Sequence, residues 1–103
     1  MTRFQKVATL SSLPPGAAIS VEVDGRTLAL FHAEGGIRAI DGECTHAGAP
    51  LCEGELEGTV LTCPWHAATF DVVTGKALTR PASLDLKTWP VRVEGDDVLV
   101  DMG

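Results

Sequence analysis

The segment AISVEV, Ala18 to Val23, alternates in polarity and is rich in β-branched residues, the period of a half-buried strand. Asp24-Gly25 follows, a dipeptide suited to a two-residue hairpin turn, and RTLALFH, Arg26 to His32, reads as the returning strand. Gly35-Gly36 interrupts it, and IRAI, Ile37 to Ile40, is predicted as the next strand. TVLT, Thr59 to Thr62, forms a short strand after the Glu57-Gly58 turn. TWPVRVE, Thr88 to Glu94, and DVLVD, Asp97 to Asp101, flank Gly95-Asp96, a second hairpin signal. Pro90 cannot donate to a ladder, which confines its strand to an edge or a bulge. No long stretch repeats every 3.6 residues, so little helix is expected. Short strands at this spacing predict an all-β fold, a small antiparallel sandwich or barrel. With no repeat and no linker, the 103 residues are expected to form one domain.

Between Asp41 and Phe70 the pattern changes. Gly, Pro, Ala and two Cys/His pairs dominate, and only Thr59 to Thr62 reads as strand. A loop segment this long in a compact domain is functional or disordered. Its apolar content and its metal-type side chains favour function.

Charge and length exclude several classes. Lys plus Arg number 8 against 14 Asp plus Glu, a net charge of −6, and no basic stripe exists to follow a phosphate backbone. Nucleic acid is therefore not expected as a partner, and a docking partner is expected to offer a basic face. No apolar run is long enough to span a bilayer, so no membrane association is expected. The N-terminus, MTRFQKVATL, carries Arg3 and Lys6 without the apolar run of a signal peptide, which makes the cytoplasm the expected compartment. That compartment keeps thiols reduced, and three cysteines are in any case an odd number for a disulfide framework. A metal site would suit so small a core.

The metal-type residues fall into two pairs, Cys44-x-His46 and Cys63-x-x-His66, with sixteen residues between them. Each pair sits on a turn-rich loop, and two such loops can face each other and surround one site with four donors. Thiolate and imidazole are ligands of zinc, copper and iron–sulfur centres. Pro64 stiffens the turn between Cys63 and His66. Ala47, Gly48, Ala49, Ala67 and Ala68 are small enough for backbone N–H groups to approach sulfur and tune the centre. Zinc is the plain reading of two Cys and two His. A common zinc finger, however, orders them Cys, Cys, His, His with both histidines on a helix, whereas here each loop supplies one of each.

CTHAGAP (Cys44 to Pro50) and CPWHAATF (Cys63 to Phe70) resemble the two boxes of a Rieske [2Fe–2S] protein. The flanking LALF, EGELEGTVLTCPWH, FDVVTGKAL and WPVRVEGDDVLVD are similar to the family as well, so the resemblance covers nearly the whole chain. It implies the Rieske fold, an antiparallel β base with an inserted two-loop cluster-binding subdomain at about residues 42–70. It also implies one [2Fe–2S] cluster as cofactor. Cys44 and Cys63 would bind one iron through thiolates, and His46 and His66 the other through Nδ1. Replacing two of four thiolates by neutral imidazoles turns a dianionic oxidised centre into a neutral one, which accepts an electron more readily.

Rieske proteins of respiratory complexes join their two loops by a disulfide. The corresponding positions here are Ala49 and Trp65, so no bridge can form. Those proteins also donate Ser and Tyr hydroxyls to sulfur, at positions that here hold Ala68 and Phe70. Fewer donors stabilise the added electron less, and a midpoint on the order of −150 mV is expected, at the bottom of the Rieske range.

The remaining residues read as structural. Cys52 is expected to be a small packed thiol, His32 an ordinary structural histidine, and Trp89 a core residue. Trp65 is either a docking residue or a lid over the cluster. Thr74-Gly75-Lys76 lacks the flanking residues of a phosphate loop and reads as a turn. Around Pro81 the resemblance implies a third loop covering the cluster.

The function so implied is a soluble one-electron carrier, similar to the ferredoxin component of bacterial ring-hydroxylating dioxygenase systems. It would take electrons from an NAD(P)H-dependent flavoprotein reductase and pass them to a terminal Rieske oxygenase. The chain is not expected to be an enzyme. A terminal oxygenase needs a second, mononuclear iron on two His and one carboxylate, and only His32 remains. A small Rieske subunit of another oxidoreductase, such as nitrite reductase, and a zinc-stapled interaction module are the alternatives.

Overall fold

The computed structural model describes residues 3–42, 53–64, 68–78 and 85–102. Among these residues ten strands follow one another: β1 (Phe4–Thr9), β2 (Ala18–Val23), β3 (Arg26–Ala33), β4 (Gly36–Asp41), β5 (Glu55–Glu57), β6 (Val60–Thr62), β7 (Thr69–Asp71), β8 (Thr88–Trp89), β9 (Val91–Glu94) and β10 (Asp97–Asp101). A 3₁₀ turn, Leu10–Ser12, follows β1. The strands form three antiparallel sheets, ordered β1-β10-β9, β2-β3-β4-β8 and β5-β6-β7.

The β2–β3 hairpin closes as its turn chemistry requires. Val23 pairs with Arg26, and Asp24 and Gly25 between them take φ of 52° and 78°. Two left-handed residues in a two-residue loop match the twist of the flanking strands.

The four-stranded sheet is the middle layer, and β3 shows why. Leu28, Ala29, Leu30 and Phe31 are all completely buried, a continuous apolar run rather than an alternation. Leu28 and Leu30 join Leu13, Ile37, Ala39, Trp89, Val98 and Val100 in one core, under the β1-β10-β9 sheet. Ala29 and Phe31 point the other way, into a second core with Ile40, Leu61, Cys63, Ala68, Phe70, Val72 and Leu86. The sheet β5-β6-β7 therefore packs on the opposite face of the middle layer.

Pro90 stands where the chain changes sheets. The predicted continuous strand over Thr88 to Glu94 is instead two strands, with β8 on the edge of the four-stranded sheet and β9 on the edge of a three-stranded one. Both are the edge positions that a missing N–H demands. The sequence predicts one strand between Asp41 and Phe70, where the structure has β5, β6 and β7, and none at the position of β1. β5 and β7 are three residues each, too short for a period to show. Trp89 belongs to the core, as expected, with 7% of its surface exposed.

Candidate iron–sulfur site

The sheet β5-β6-β7 carries Cys63, one of the candidate ligands, at its end. Glu55 pairs with Thr62, and Thr62 with Thr69, so these three residues form one cross-strand row at one end of the sheet. Cys63 follows Thr62 directly and is 2% exposed. Its backbone N–H donates to the carbonyl of Ala68 over 2.7 Å, extending the β6–β7 ladder by one step. That bond closes the base of the segment in which the sequence places Trp65 and His66.

Two more segments meet this end. The chain from Gly42 onward, which includes Cys44 and His46, leads by connectivity into β5 at its Glu55 end. After β7 the chain turns and runs back along it. Asp71 accepts the Val73 N–H through Oδ1 at 2.8 Å, and Gly75 donates to the Asp71 carbonyl at 2.7 Å. Thr74-Gly75-Lys76 is thus a turn, as read. Ala77 then bridges to Phe70, and Leu78 donates to the Thr69 carbonyl at 2.8 Å, which brings the start of the Pro81 segment beside the same row.

The bases of these segments are tied together. Asp41 donates its N–H to the Lys87 carbonyl at 3.0 Å, and Gly42 donates to the Thr27 carbonyl at 3.0 Å. Leu86 donates to the carbonyl of Gly75 at 2.6 Å. Gly75 has φ of 78°, and a Cβ there would lie 2.1 Å from the Leu86 carbonyl oxygen, so no larger residue fits. This contact is invisible in sequence because it joins positions whose closeness only the fold creates.

Of the four sequence-predicted ligands, Cys63 is among the described residues; Cys44, His46 and His66 lie outside them, as do Cys52, Trp65 and Pro81. The environment of Cys63 fits an iron–sulfur ligand. It is a buried sulfur on a short, closed turn, with the small Ala68 opposite it, and a strand on each side of β6 holds its base. Ala68 and Phe70 are both fully buried and offer no side-chain donor. His32 is placed elsewhere by a bond of its own: Nδ1–H donates to the Leu13 carbonyl at 2.8 Å, the structural role expected of it. The described rim around the row is acidic, with Glu53, Glu55 and Asp85 exposed, and Leu78 is 45% exposed among them. No helix among the described residues is long and apolar enough to cross a membrane.

Comparison with known proteins agrees with this architecture. The Rieske [2Fe-2S] domain family matches residues 3–90. The ferredoxin component of a naphthalene 1,2-dioxygenase system from Pseudomonas aeruginosa is 44% identical over 93 residues, 90% of this chain and 89% of that protein. Among solved structures, the ferredoxin of Sphingomonas yanoikuyae B1 superposes with a TM-score of 0.90 at 30% identity, covering 98% of this chain and all of that one. A structure described as a complex of reduced oxygenase and oxidised ferredoxin in carbazole 1,9a-dioxygenase matches with a TM-score of 0.88 at 33% identity, over 95% of this chain and 92% of the other. Other relatives are named in the same way, as the ferredoxin subunit of a biphenyl dioxygenase from Pseudomonas sp. (strain KKS102), 40% identical over 99 residues. This chain belongs to the Rieske [2Fe–2S] family, as an electron-carrying ferredoxin whose cofactor is one [2Fe–2S] cluster.

Proposed function

We propose that this chain carries single electrons from an NAD(P)H-dependent flavoprotein reductase to a terminal ring-hydroxylating Rieske oxygenase. Cys44 and Cys63 would hold one iron and His46 and His66 the other, in one Rieske domain spanning 1–103 whose cluster-binding part covers about residues 42–70. The observation that supports the reading is the row Glu55–Thr62–Thr69: Cys63 follows Thr62 in the chain, and Glu55 opens the strand that follows the segment of Cys44 and His46. The cluster supplies a centre that takes up and returns one electron.

The chain's own residues do the rest. The bond from Cys63 to Ala68 would hold the second pair on a closed turn and limit how far the ligands shift when the charge changes. The core of Phe31, Leu61, Phe70 and Leu86 keeps water from the sulfur side. As ligands, His46 and His66 would offer a short path outward through their imidazole edges. The acidic rim of Glu53, Glu55 and Asp85 would meet a basic face on each partner, and Leu78 would supply apolar contact. The electron-accepting oxygenase needs a second iron on two further histidines, and the ring of His32 is already engaged with Leu13. The cytoplasm is the proposed compartment, where the reductase finds its nicotinamide cofactor.

Reconstitution tests the reading. With a flavoprotein ferredoxin reductase, NAD(P)H and the terminal oxygenase of a naphthalene-type system, the chain is expected to support ring hydroxylation that stops when it is omitted. A protein that is reduced by the flavoprotein but passes no electrons to any terminal Rieske oxygenase would refute the proposed role.

A further inference from the structure

β9 (Val91–Glu94) is the outer strand of the sheet β1-β10-β9, and no strand among the described residues pairs along its free side. Arg92, Val93 and Glu94 are exposed. The register with β10 fixes which backbone groups that free side carries. Asp101 donates its N–H to the Pro90 carbonyl at 3.0 Å, which makes Val91 and Val100 a non-hydrogen-bonded pair. Arg92 and Glu94 therefore spend their backbone groups on Leu99 and Asp97 of β10, and the N–H and C=O of Val91 and Val93 point outward. Such an edge is a template for a further strand.

The side chains select what can pair there. Arg92 and Glu94 share one face of β9, with the Arg92 guanidinium 4.4 Å from the centre of the Phe4 ring and 3.4 Å from the Glu94 carboxylate. Val93 lies on the other face and is 42% exposed. Arg-Val-Glu is its own complement when two copies run antiparallel. A two-fold axis through Arg92 or Glu94 would set like charges directly opposite each other, which is unfavourable. An axis through Val91 would need the chain beyond Pro90, which has already left for the other sheet. An axis through Val93 sets each Arg92 opposite a Glu94 and lets the two Val93 residues exchange both backbone bonds. The two Arg–Glu pairs then occupy non-hydrogen-bonded positions, where opposing side chains lie closest.

We propose that the free edge of β9 is an interface for a second copy of this chain, the two strands pairing antiparallel about Val93. The contact is small and each copy carries a charge of −6, so the dimer is weak and transient, with a Kd on the order of 0.1–1 mM. The sheet β1-β10-β9 and the sheet β5-β6-β7 pack on opposite faces of the middle layer. Pairing through β9 therefore leaves the end that carries Cys63 open in both copies, and the dimer presents two candidate cluster sites at once.

Sedimentation equilibrium of the oxidised, cluster-loaded protein from about 10 µM to about 1 mM tests this. The mass is expected to be that of a monomer at the low end and to rise toward twice that value at the high end. Val93→Pro removes an outward N–H without touching the β10 ladder and is expected to abolish the rise. Arg92→Glu alone and Glu94→Arg alone are each expected to weaken self-association about tenfold or more, because like charges then face each other. An equal mixture of these two variants is expected to associate again, since every Glu then meets an Arg. A chain that stays monomeric over the whole range, an association that Val93→Pro leaves intact, or a mixture that associates no better than its components would overturn the proposal.

Discussion

Cys63 and Ala68 face each other across the last step of the β6–β7 ladder, joined by a 2.7 Å bond from the Cys63 N–H to the Ala68 carbonyl. Both are buried, at 2% and 0% exposure, in the same core. The bond fixes the backbone on either side of the segment that contains His66. Enlarging Ala68 must therefore disturb the ligand turn as well as the core. Ala68→Leu is expected to cost about 1–3 kcal/mol through overpacking and to lower the iron content of the purified protein. Thermal unfolding and iron analysis check the two effects separately.

The three cysteines are expected to separate cleanly. Cys44→Ser and Cys63→Ser should lose the visible absorption of the cluster, because the proposed ligand set loses a thiolate from the same iron in each. Cys52→Ser should keep it, since the proposed set of four ligands does not include Cys52. Absorption spectra of the three variants, purified without air, decide this. Loss of colour in Cys52→Ser would move that residue into the ligand set.

Gly75 carries the strongest purely steric requirement. Any side chain would meet the Leu86 carbonyl at 2.1 Å, and φ of 78° is strained for all but glycine. Gly75→Ala is expected to destabilise the protein by about 2 kcal/mol or more, a fall in Tm of roughly 10 °C for a chain of this size. A variant with an unchanged Tm would show that the chain between Asp71 and Leu86 can take another path.

His32 gives the opposite kind of control. Its Nδ1–H bond to Leu13 holds β3 against the segment after the 3₁₀ turn. His32→Ala should lose on the order of 1 kcal/mol and leave the absorption and EPR spectra of the reduced protein as they are. A changed spectrum would mean that His32 reaches the cluster.

Phe70 and Ala68 bear on the potential. Both lie beside Cys63 in the core and neither has a hydroxyl. A midpoint on the order of −150 mV is expected for the wild-type chain. Phe70→Tyr should raise it by some tens of millivolts, the equivalent of one modest hydrogen bond to sulfur in a one-electron couple. A wild-type midpoint above roughly +100 mV would contradict the account of the missing donors.

Much of the fold was legible because its signals are local. AISVEV and DVLVD match β2 and β10 residue for residue, and Asp24-Gly25 makes the turn that its chemistry requires. β1 was missed because FQKVAT is never fully buried and so shows no clear alternation. ELE and TFD are strands through their pairing with β6 and not through their own pattern. At the candidate site, the spacing of Cys63 to His66 marks the turn in the sequence. The contacts that anchor that turn have no such mark. The approach of Gly75 to Leu86, of Leu78 to Thr69 and of Asp41 to Lys87 joins positions between nine and forty-six residues apart, and no local pattern records them.

The central claim is that two Cys/His loops hold a diiron–disulfide centre at the end of the β5-β6-β7 sheet. Iron and acid-labile sulfide analysis of anaerobically purified protein, combined with a reductive titration followed by EPR, tests it most directly. The account predicts iron and sulfide in equal amounts, one electron taken up per cluster, and an EPR signal that appears on reduction and is altered in His46 or His66 variants. A colourless protein that contains zinc and no labile sulfide would contradict it.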